Sequence, residues 1–283
     1  MSNAIHFLNT GAGDCIILES NGCFGMIDCA EDNEYPLDKP HLKAKGYEDE
    51  ILKYLFAHCA DESGMVNLDF VLGTHAHSDH IGGFDTIISH PKVRVGKAFL
   101  RPYDDKRTFV YERVRWDNDI VYEQMKNALN AKNVEIIESF EKKQISLGEF
   151  NLTFINAGDR RHIFKYGENV SSVGVVLEHN GFRAFFAGDM NNKALDETRY
   201  AKYIGRVDLL KVGHHGYPYS TSLYLLKKLK PEYAVICNSS QKAYPSVKYR
   251  LEKIAGARCY YTVDSNGVKA VLDNGVKFIE GIM

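Results

Sequence analysis

Residues 73–83 read Gly-Thr-His-Ala-His-Ser-Asp-His-Ile-Gly-Gly, and no other stretch restricts the chain as tightly. Four groups able to bind a metal, His75, His77, Asp79 and His80, follow directly on residues 68–72, an apolar run that reads as a buried strand. In extended backbone successive side chains alternate, which puts His75, His77 and Asp79 on one side. A turn into the next helix then brings His80 to the same space. Two imidazoles followed by a carboxylate and a third imidazole supply parts of two adjacent metal sites, and Gly82 and Gly83 allow close backbone approach beside them. A lone histidine in a polar turn is ordinarily solvated. Three histidines and an aspartate in this order at a strand end point to metal.

The rest of the chain alternates strands with helices. Short apolar stretches at residues 5–8, 15–19 and 24–28, parted by Gly-Ala-Gly and Asn-Gly turns, read as a β-meander. Residues 47–59 carry apolar side chains at helical spacing, and 101–133 reads as a charged, aromatic-rich helical excursion. Strands recur at 134–137, 150–156, 173–178 and 184–187, with Asn180-Gly181 as a hairpin turn. The last third reads as strand 208–212, helix 220–229, strand 233–237, helix 246–254 and a terminal pair of strands. Ser220 and Ser246 are the expected N-caps, Pro231 closes the first of these helices, and Gly256 follows the second. With no linker or repeat to divide it, the chain is expected to form one domain over residues 1–283, an α/β fold of two mixed sheets between helical layers with the excursion as an insertion.

A formal charge of −2 without like-charge blocks gives no general attraction to nucleic acid or membrane. No run approaches a membrane span, so a cytoplasmic protein is expected. The six scattered cysteines suggest packed, reduced thiols rather than a disulfide framework or a cysteine zinc site.

The run His-x-His-x-Asp-His followed by Ile-Gly-Gly resembles the signature of the metallo-β-lactamase superfamily, and the resemblance extends over nearly the whole chain. It implies a four-layer αβ/βα sandwich with two divalent metal ions at the sheet edges. It also implies that Asp28, in Met26-Ile27-Asp28, supports the site from behind the ligands. Asp189, ending Phe186-Ala187-Gly188-Asp189, would bridge the two ions. The later Gly213-His214-His215-Gly216 would supply the last ligand. By strand-end position His214 is assigned as that ligand and His215 as the contact to substrate or leaving group, the reverse being the alternative. One ion is then expected on His75 and His77, the other on Asp79, His80 and His214. Zinc suits this donor set first, and manganese or iron accept it.

The sequence departs from the pattern at residues 168–172, Glu-Asn-Val-Ser-Ser, where many relatives carry another metal histidine. His162 and His179 are expected to face solvent, which leaves Glu168 or Asn169 to complete the first site. The Leu-Asn-Thr-Gly-Ala-Gly-Asp opening and the Lys-Val-Gly-His-His-Gly run resemble two branches of the superfamily: the hydrolase domain of ComEC/Rec2-type competence proteins and the catalytic module of pneumococcal phosphorylcholine esterase. Both imply phosphodiester hydrolysis, with Asp79 orienting the attacking water and His215 or Tyr217 protonating the leaving group. The expected substrate is a small or polymeric phosphodiester. Nucleic acid enters through the basic and aromatic residues between Lys97 and Trp116, which equally make a solvated helical face or an aromatic wall for a cationic head group. Competing expectations are a hydrolase of lactone, thioester or β-lactam bonds, a non-catalytic metal-binding protein and an iron-dependent redox protein.

Overall fold

A computed structural model describes residues 2–158, 163–273 and 275–283. The first half supplies strands β1 (Asn3–Phe7), β2 (Ile16–Ser20), β3 (Cys23–Ile27), β4 (Val66–Leu68), β5 (Phe70–Gly73), β6 (Val93–Val95), β7 (Lys97–Leu100) and β8 (Glu135–Ile137). The second half supplies β9 (Gln144–Leu147), β10 (Phe150–Ile155), β11 (Gly174–His179), β12 (Phe182–Phe186), β13 (Leu209–Lys211), β14 (Tyr233–Ile236), β15 (Arg258–Tyr261), β16 (Val268–Val271) and β17 (Lys277–Glu280). Helices α1 (Glu48–His58), α2 (Ser78–Ile81), α3 (Phe84–Ser89), α4 (Val110–Arg115) and α5 (Asn118–Ala131) belong to the first half. Helices α6 (Ile163–Tyr166), α7 (Asp196–Ile204), α8 (Leu223–Leu229) and α9 (Pro245–Tyr249) belong to the second.

Two mixed sheets result. One runs β17-β16-β1-β2-β3-β5-β7-β8 and the other β15-β14-β13-β12-β11-β10-β9, while β4 and β6 form a small parallel ribbon. The terminal pair β16 and β17 is antiparallel and adds to β1, so the end of the chain closes the sheet that its beginning opens.

Strand alternation explains the layering. Ile5, Phe7, Leu18, Ile27, Phe70, Leu72 and Phe99 of the first sheet share one core with Leu152, Phe154, Val175, Leu177, Phe186 and Leu209 of the second. The intervening residues Ile17, Met26, Val71 and Ala98 face outward against Ile51 and Leu55 of α1, Ile87 of α3 and Met125 of α5. On the far side Phe185, Leu210, Ala234 and Ile236 pack on Ala201 of α7, Leu226 of α8 and Val247 of α9. The result is the four-layer αβ/βα sandwich. At its centre the rings of Phe99 and Phe154 lie 4.6 Å apart and those of Phe99 and Phe140 5.3 Å apart. Burial of each such ring contributes about 1.5–3 kcal/mol.

Several local expectations are corrected. Helix α8 is capped by Ser222, whose Oγ accepts from Leu225 N at 3.2 Å, and not by Ser220. Tyr219 and Thr221 take left-handed φ of 70° and 55°, and the resulting bend turns the Ser220 hydroxyl back to donate to Tyr217 O. Ser246 lies inside the first turn of α9, which begins at Pro245. Gly256 does follow the helical segment, with φ of 71°.

The sheets aim the candidate ligands. Strands β3, β5 and β7 are parallel neighbours in one sheet, and β12, β13 and β14 in the other. The histidine motif leaves the C-terminal end of β5, Asp189 follows β12, and the His214-His215 pair follows β13. Val173 N donates to Thr74 O at 3.0 Å and ties the two sheets together at this point.

Candidate metal centre

Backbone fit fixes the motif before any side chain acts. Asp14 N donates to Asp79 O and Cys29 N to His80 O, so the loops after β1 and β3 grip α2. A Cβ at Gly82 would lie 2.6 Å from both Asp32 N and Ser78 O, and one at Gly83 would lie 2.6 Å from Cys29 O. These glycines permit the approach.

The side chains converge on Asp189, which is 2% exposed. Its Oδ1 lies 3.2 Å from His80 Nε2 and 3.3 Å from His215 Nε2, and those two nitrogens are 3.1 Å apart. Its Oδ2 lies 4.0 Å from His75 Nε2 and 3.9 Å from His214 Nε2. His75 Nε2 is in turn 3.0 Å from His77 Nδ1. Asp79 Oδ2 sits 3.2 Å from His215 Nε2 and 3.9 Å from His80 Nε2. Two groups of acids and imidazoles compact enough for an ion therefore share Asp189: Asp14, His80 and His215 on one side, His75 and His77 on the other.

Buried acids behind the rings dictate their tautomers. Asp28 Oδ2 lies 2.7 Å from His80 Nδ1, and Asp28 is itself held by Thr74 N and Thr74 Oγ1 at 2.8 and 2.7 Å. Asp14 Oδ1 lies 3.3 Å from His215 Nδ1. In the neutral rings, an Nδ1 proton on the side of the carboxylate behind would leave the Nε2 atoms of His80 and His215, 3.1 Å apart, facing each other as bare lone pairs. Because the Thr74 hydroxyl donates to Asp28, it accepts from His75 Nδ1 at 3.1 Å, which leaves His75 Nε2 bare as well. Glu112 of α4, 3.4 Å from His77 Nε2, leaves Nδ1 as the free atom of that ring. Lone pairs and carboxylates this close repel unless a cation lies among them. Asp189 Oδ1 is buried without a hydrogen-bond partner among the described residues, and the donor set fits a divalent ion.

Without an ion, the same demand for positive charge falls on the rings themselves. Burial disfavours charge on His80 and His215, yet Asp189 and the neighbouring acids raise both well above the usual histidine value. Burial also resists ionisation of Asp189, and His215, His80 and His214 overcome it, holding the carboxyl well below its usual range. His75, flanked by His80 and His77, is held low by burial and by those rings.

Of the late histidines it is His215, and not His214, that faces Asp79 and His80. Both residues take left-handed φ, 49° and 50°, so the alternation of β13 does not continue through them. His214 Nε2 instead lies 3.9 Å from Asp189 Oδ2, with the Asn169 side-chain amide 3.1 Å away. Glu168, the other residue expected to complete the first site, pairs with Arg101 at 3.3 Å. His179, expected at the surface, is buried against Phe150 at a ring distance of 5.3 Å. His162 lies outside the described residues.

Sequence reading gave no role to Asp14, Glu112 or Lys211. Lys211, fully buried, pairs with Asp14 and donates to Gly188 O at 3.0 Å. A lysine inside an apolar strand was the available signal, since such a charge requires a buried acid.

A cavity of about 220 Å³ opens over this cluster, walled by Leu42, Trp116, Asn118, Asn169, His214 and Tyr217. Trp116 stands edge-on to His77 at 4.6 Å. Of the other aromatic and basic residues between Lys97 and Trp116, Phe99 is core and Arg101 is buried with Glu168, while Phe109 and Tyr111 are exposed. No helix among the described residues is long and apolar enough to cross a membrane.

The family model of the β-lactamase superfamily domain matches residues 48–215, more than half of the chain. ComE operon protein 3 of Bacillus subtilis is 27% identical over 185 residues, covering 64% of this chain and 21% of that protein. Recombination protein 2 of Haemophilus influenzae is 27% identical over 189 residues, covering 66% of this chain and 19% of that protein. The chain thus spans about a fifth of the length of these curated relatives. Among solved structures, the metallo-β-lactamase fold protein YhfI of Bacillus subtilis aligns with a TM-score of 0.55 at 12% identity, covering 91% of this chain and 96% of that one. CmlA, a diiron β-hydroxylase from Streptomyces venezuelae, aligns with a TM-score of 0.51 at 15% identity, covering 92% of this chain and 52% of that one. These two likenesses are of fold. With the domain match, the motif and the four-layer sandwich in agreement, the chain belongs to the metallo-β-lactamase superfamily.

Proposed function

We propose that the chain is a metal-dependent hydrolase whose paired metal centre cleaves phosphodiester bonds. The observation that carries this reading is the convergence on Asp189, where each carboxylate oxygen faces two imidazole nitrogens. His75, His77 and His214 would hold one ion with Asp189 Oδ2, and Asp79, His80 and His215 the other with Asp189 Oδ1. In this arrangement His214 takes the place of the histidine missing from residues 168–172. Zinc suits the donors, and manganese or iron accept them. Bound there, the ions would supply charge that lowers the pKa of water and neutralises phosphoryl oxygens.

The protein's own groups do the rest. Asp79 is the open carboxylate of the cluster, its side chain 35% exposed against 2% for Asp189, so it orients the attacking water and accepts its proton. His215 Nε2 faces Asp79 and Asp189 at 3.2 and 3.3 Å, which favours it as a ligand over a leaving-group acid. Tyr217 takes that role from the cavity wall, its ring 5.5 Å from His214 and 6.1 Å from His215. Leu42 and Trp116 supply the apolar part of the cavity wall.

A second reading is favoured by one feature. No lysine or arginine lines the cavity among the described residues, so apart from the ions and the histidines a diester's negative charge would meet the Asn169 amide and the Asp117 carboxyl. An uncharged lactone or thioester makes no such demand. The discriminating experiment strips the protein with chelator, restores zinc or manganese, and compares bis(p-nitrophenyl) phosphate with a lactone and thioester panel. Metal-restored turnover of the diester supports the proposal, and turnover confined to the uncharged substrates rejects it.

A further inference from the structure

We propose that Glu112, on α4, is a positioning residue that fixes His77 to bind metal through Nδ1 and so makes metal affinity depend on the docking of the 101–133 segment. The inference rests on the reading of His77 as a ligand.

Glu112 is buried in a segment otherwise rich in exposed charge. Its Oε2 lies 3.4 Å from His77 Nε2, just beyond ordinary hydrogen-bond range, and that nitrogen has no hydrogen-bond partner among the described residues. The same oxygen accepts from Glu168 N at 3.0 Å and Asn118 Nδ2 at 3.4 Å. One carboxylate therefore joins α4, the start of α5, the turn that carries Asn169, and a histidine of the motif.

The backbone is shaped around this carboxylate. Gly167 has φ of 84°, and a Cβ there would overlap Glu112 Oε1. The His77 ring is held in turn, with Trp116 edge-on at 4.6 Å on the end of the same helix. Nδ1 of His77 points to His75 Nε2 at 3.0 Å. A proton on Nδ1 would put an N–H where a ligand lone pair is needed, and it would leave Nε2 aiming its own lone pair at an anion. An Nε2 proton directed to Glu112 satisfies both ends. Carboxylates behind ligating histidines raise ligand basicity and fix the tautomer, and their loss commonly lowers metal affinity about 10–100-fold.

The test uses the full chain as wild type, Glu112→Ala, Glu112→Gln and His77→Ala. Zinc affinity is measured by chelator competition, and histidine tautomers by long-range proton–nitrogen correlation on the zinc-loaded protein. Expected are metal on Nδ1 and a proton on Nε2 of His77 in wild type, with affinity lowered about 10–100-fold in Glu112→Ala. Glu112→Gln, which keeps an acceptor and the packing of α4, should retain the tautomer and lose less. Wild-type affinity in a folded Glu112→Ala, or a proton on Nδ1 of His77, overturns the inference. Should Glu112→Ala fail to fold, Glu112→Gln decides: unchanged affinity with an unmoved His77 nitrogen resonance overturns it, and a fall in affinity with a shifted resonance supports it. If His77→Ala keeps wild-type affinity, the metal-site reading itself fails. If His77→Ala loses metal while Glu112→Ala does not, only the present inference fails.

Discussion

His80 and His215 direct their Nε2 atoms at each other across 3.1 Å, and each has a buried aspartate behind it, Asp28 for His80 and Asp14 for His215. The pairing joins the two sheets, since His80 follows β5 and His215 follows β13. In each case the acid behind the ring leaves a bare lone pair facing the centre.

Asp28→Asn should therefore weaken the centre without emptying the core. Its Nδ1-facing charge is lost while its shape is kept, and metal affinity should fall about 10–100-fold by chelator competition. Affinity equal to wild type would show that the Asp28–His80 contact does not set the ligand.

Asp14 carries a second duty, because it partners the fully buried Lys211. Removing one member of a buried pair leaves an uncompensated charge, so Asp14→Ala should cost about 3–5 kcal/mol in urea unfolding of the metal-free protein. Asp14→Leu combined with Lys211→Met should recover much of that loss, since no unpaired charge remains.

The inter-sheet core should be equally sensitive. Phe154 is fully buried among Phe70, Phe99 and Phe140, and Phe154→Ala should destabilise by about 3–5 kcal/mol. Urea midpoints with unchanged slopes would confirm a cavity rather than a change of fold.

Acid sensitivity should arise partly at β2. Glu19 is half-screened from solvent, which opposes ionisation, but bonds from His6, Ser2 and Lys269 hold its carboxyl down to about 2 from 4.5. The unfolded chain binds the proton first as pH falls, so this stabilisation is present above pH 4.5 and is lost between 4.5 and about 2. Glu19→Gln should flatten the stability profile across that window in denaturant titrations.

Short apolar runs and the histidine motif made the two sheets and the site legible, because strands buried on both faces read as continuous apolar stretches and four candidate ligands at one strand end are a local signal, while the four-layer order came from the family resemblance. Strands β6, β7 and β9 were not legible. They are only three or four residues long and carry charged or polar residues such as Arg94, Lys97 and Gln144. Left-handed backbone was not legible either: it turns His215 toward Asp79 and His80 where strand position pointed to His214, and at Tyr219 and Thr221 it moves the helix cap from Ser220 to Ser222. Asp14 and Glu112 could not be tied to His215 and His77 from spacing, since only tertiary packing brings them together.

The most direct test of the central claim is metal content of the protein purified without chelator, measured with turnover of bis(p-nitrophenyl) phosphate in wild type and Asp189→Ala. The account predicts two divalent ions per chain in wild type, diester turnover that follows metal content, and loss of both metal and turnover in Asp189→Ala. A wild-type protein that holds no metal after zinc or manganese is supplied, or Asp189→Ala with wild-type metal content and turnover, would contradict it.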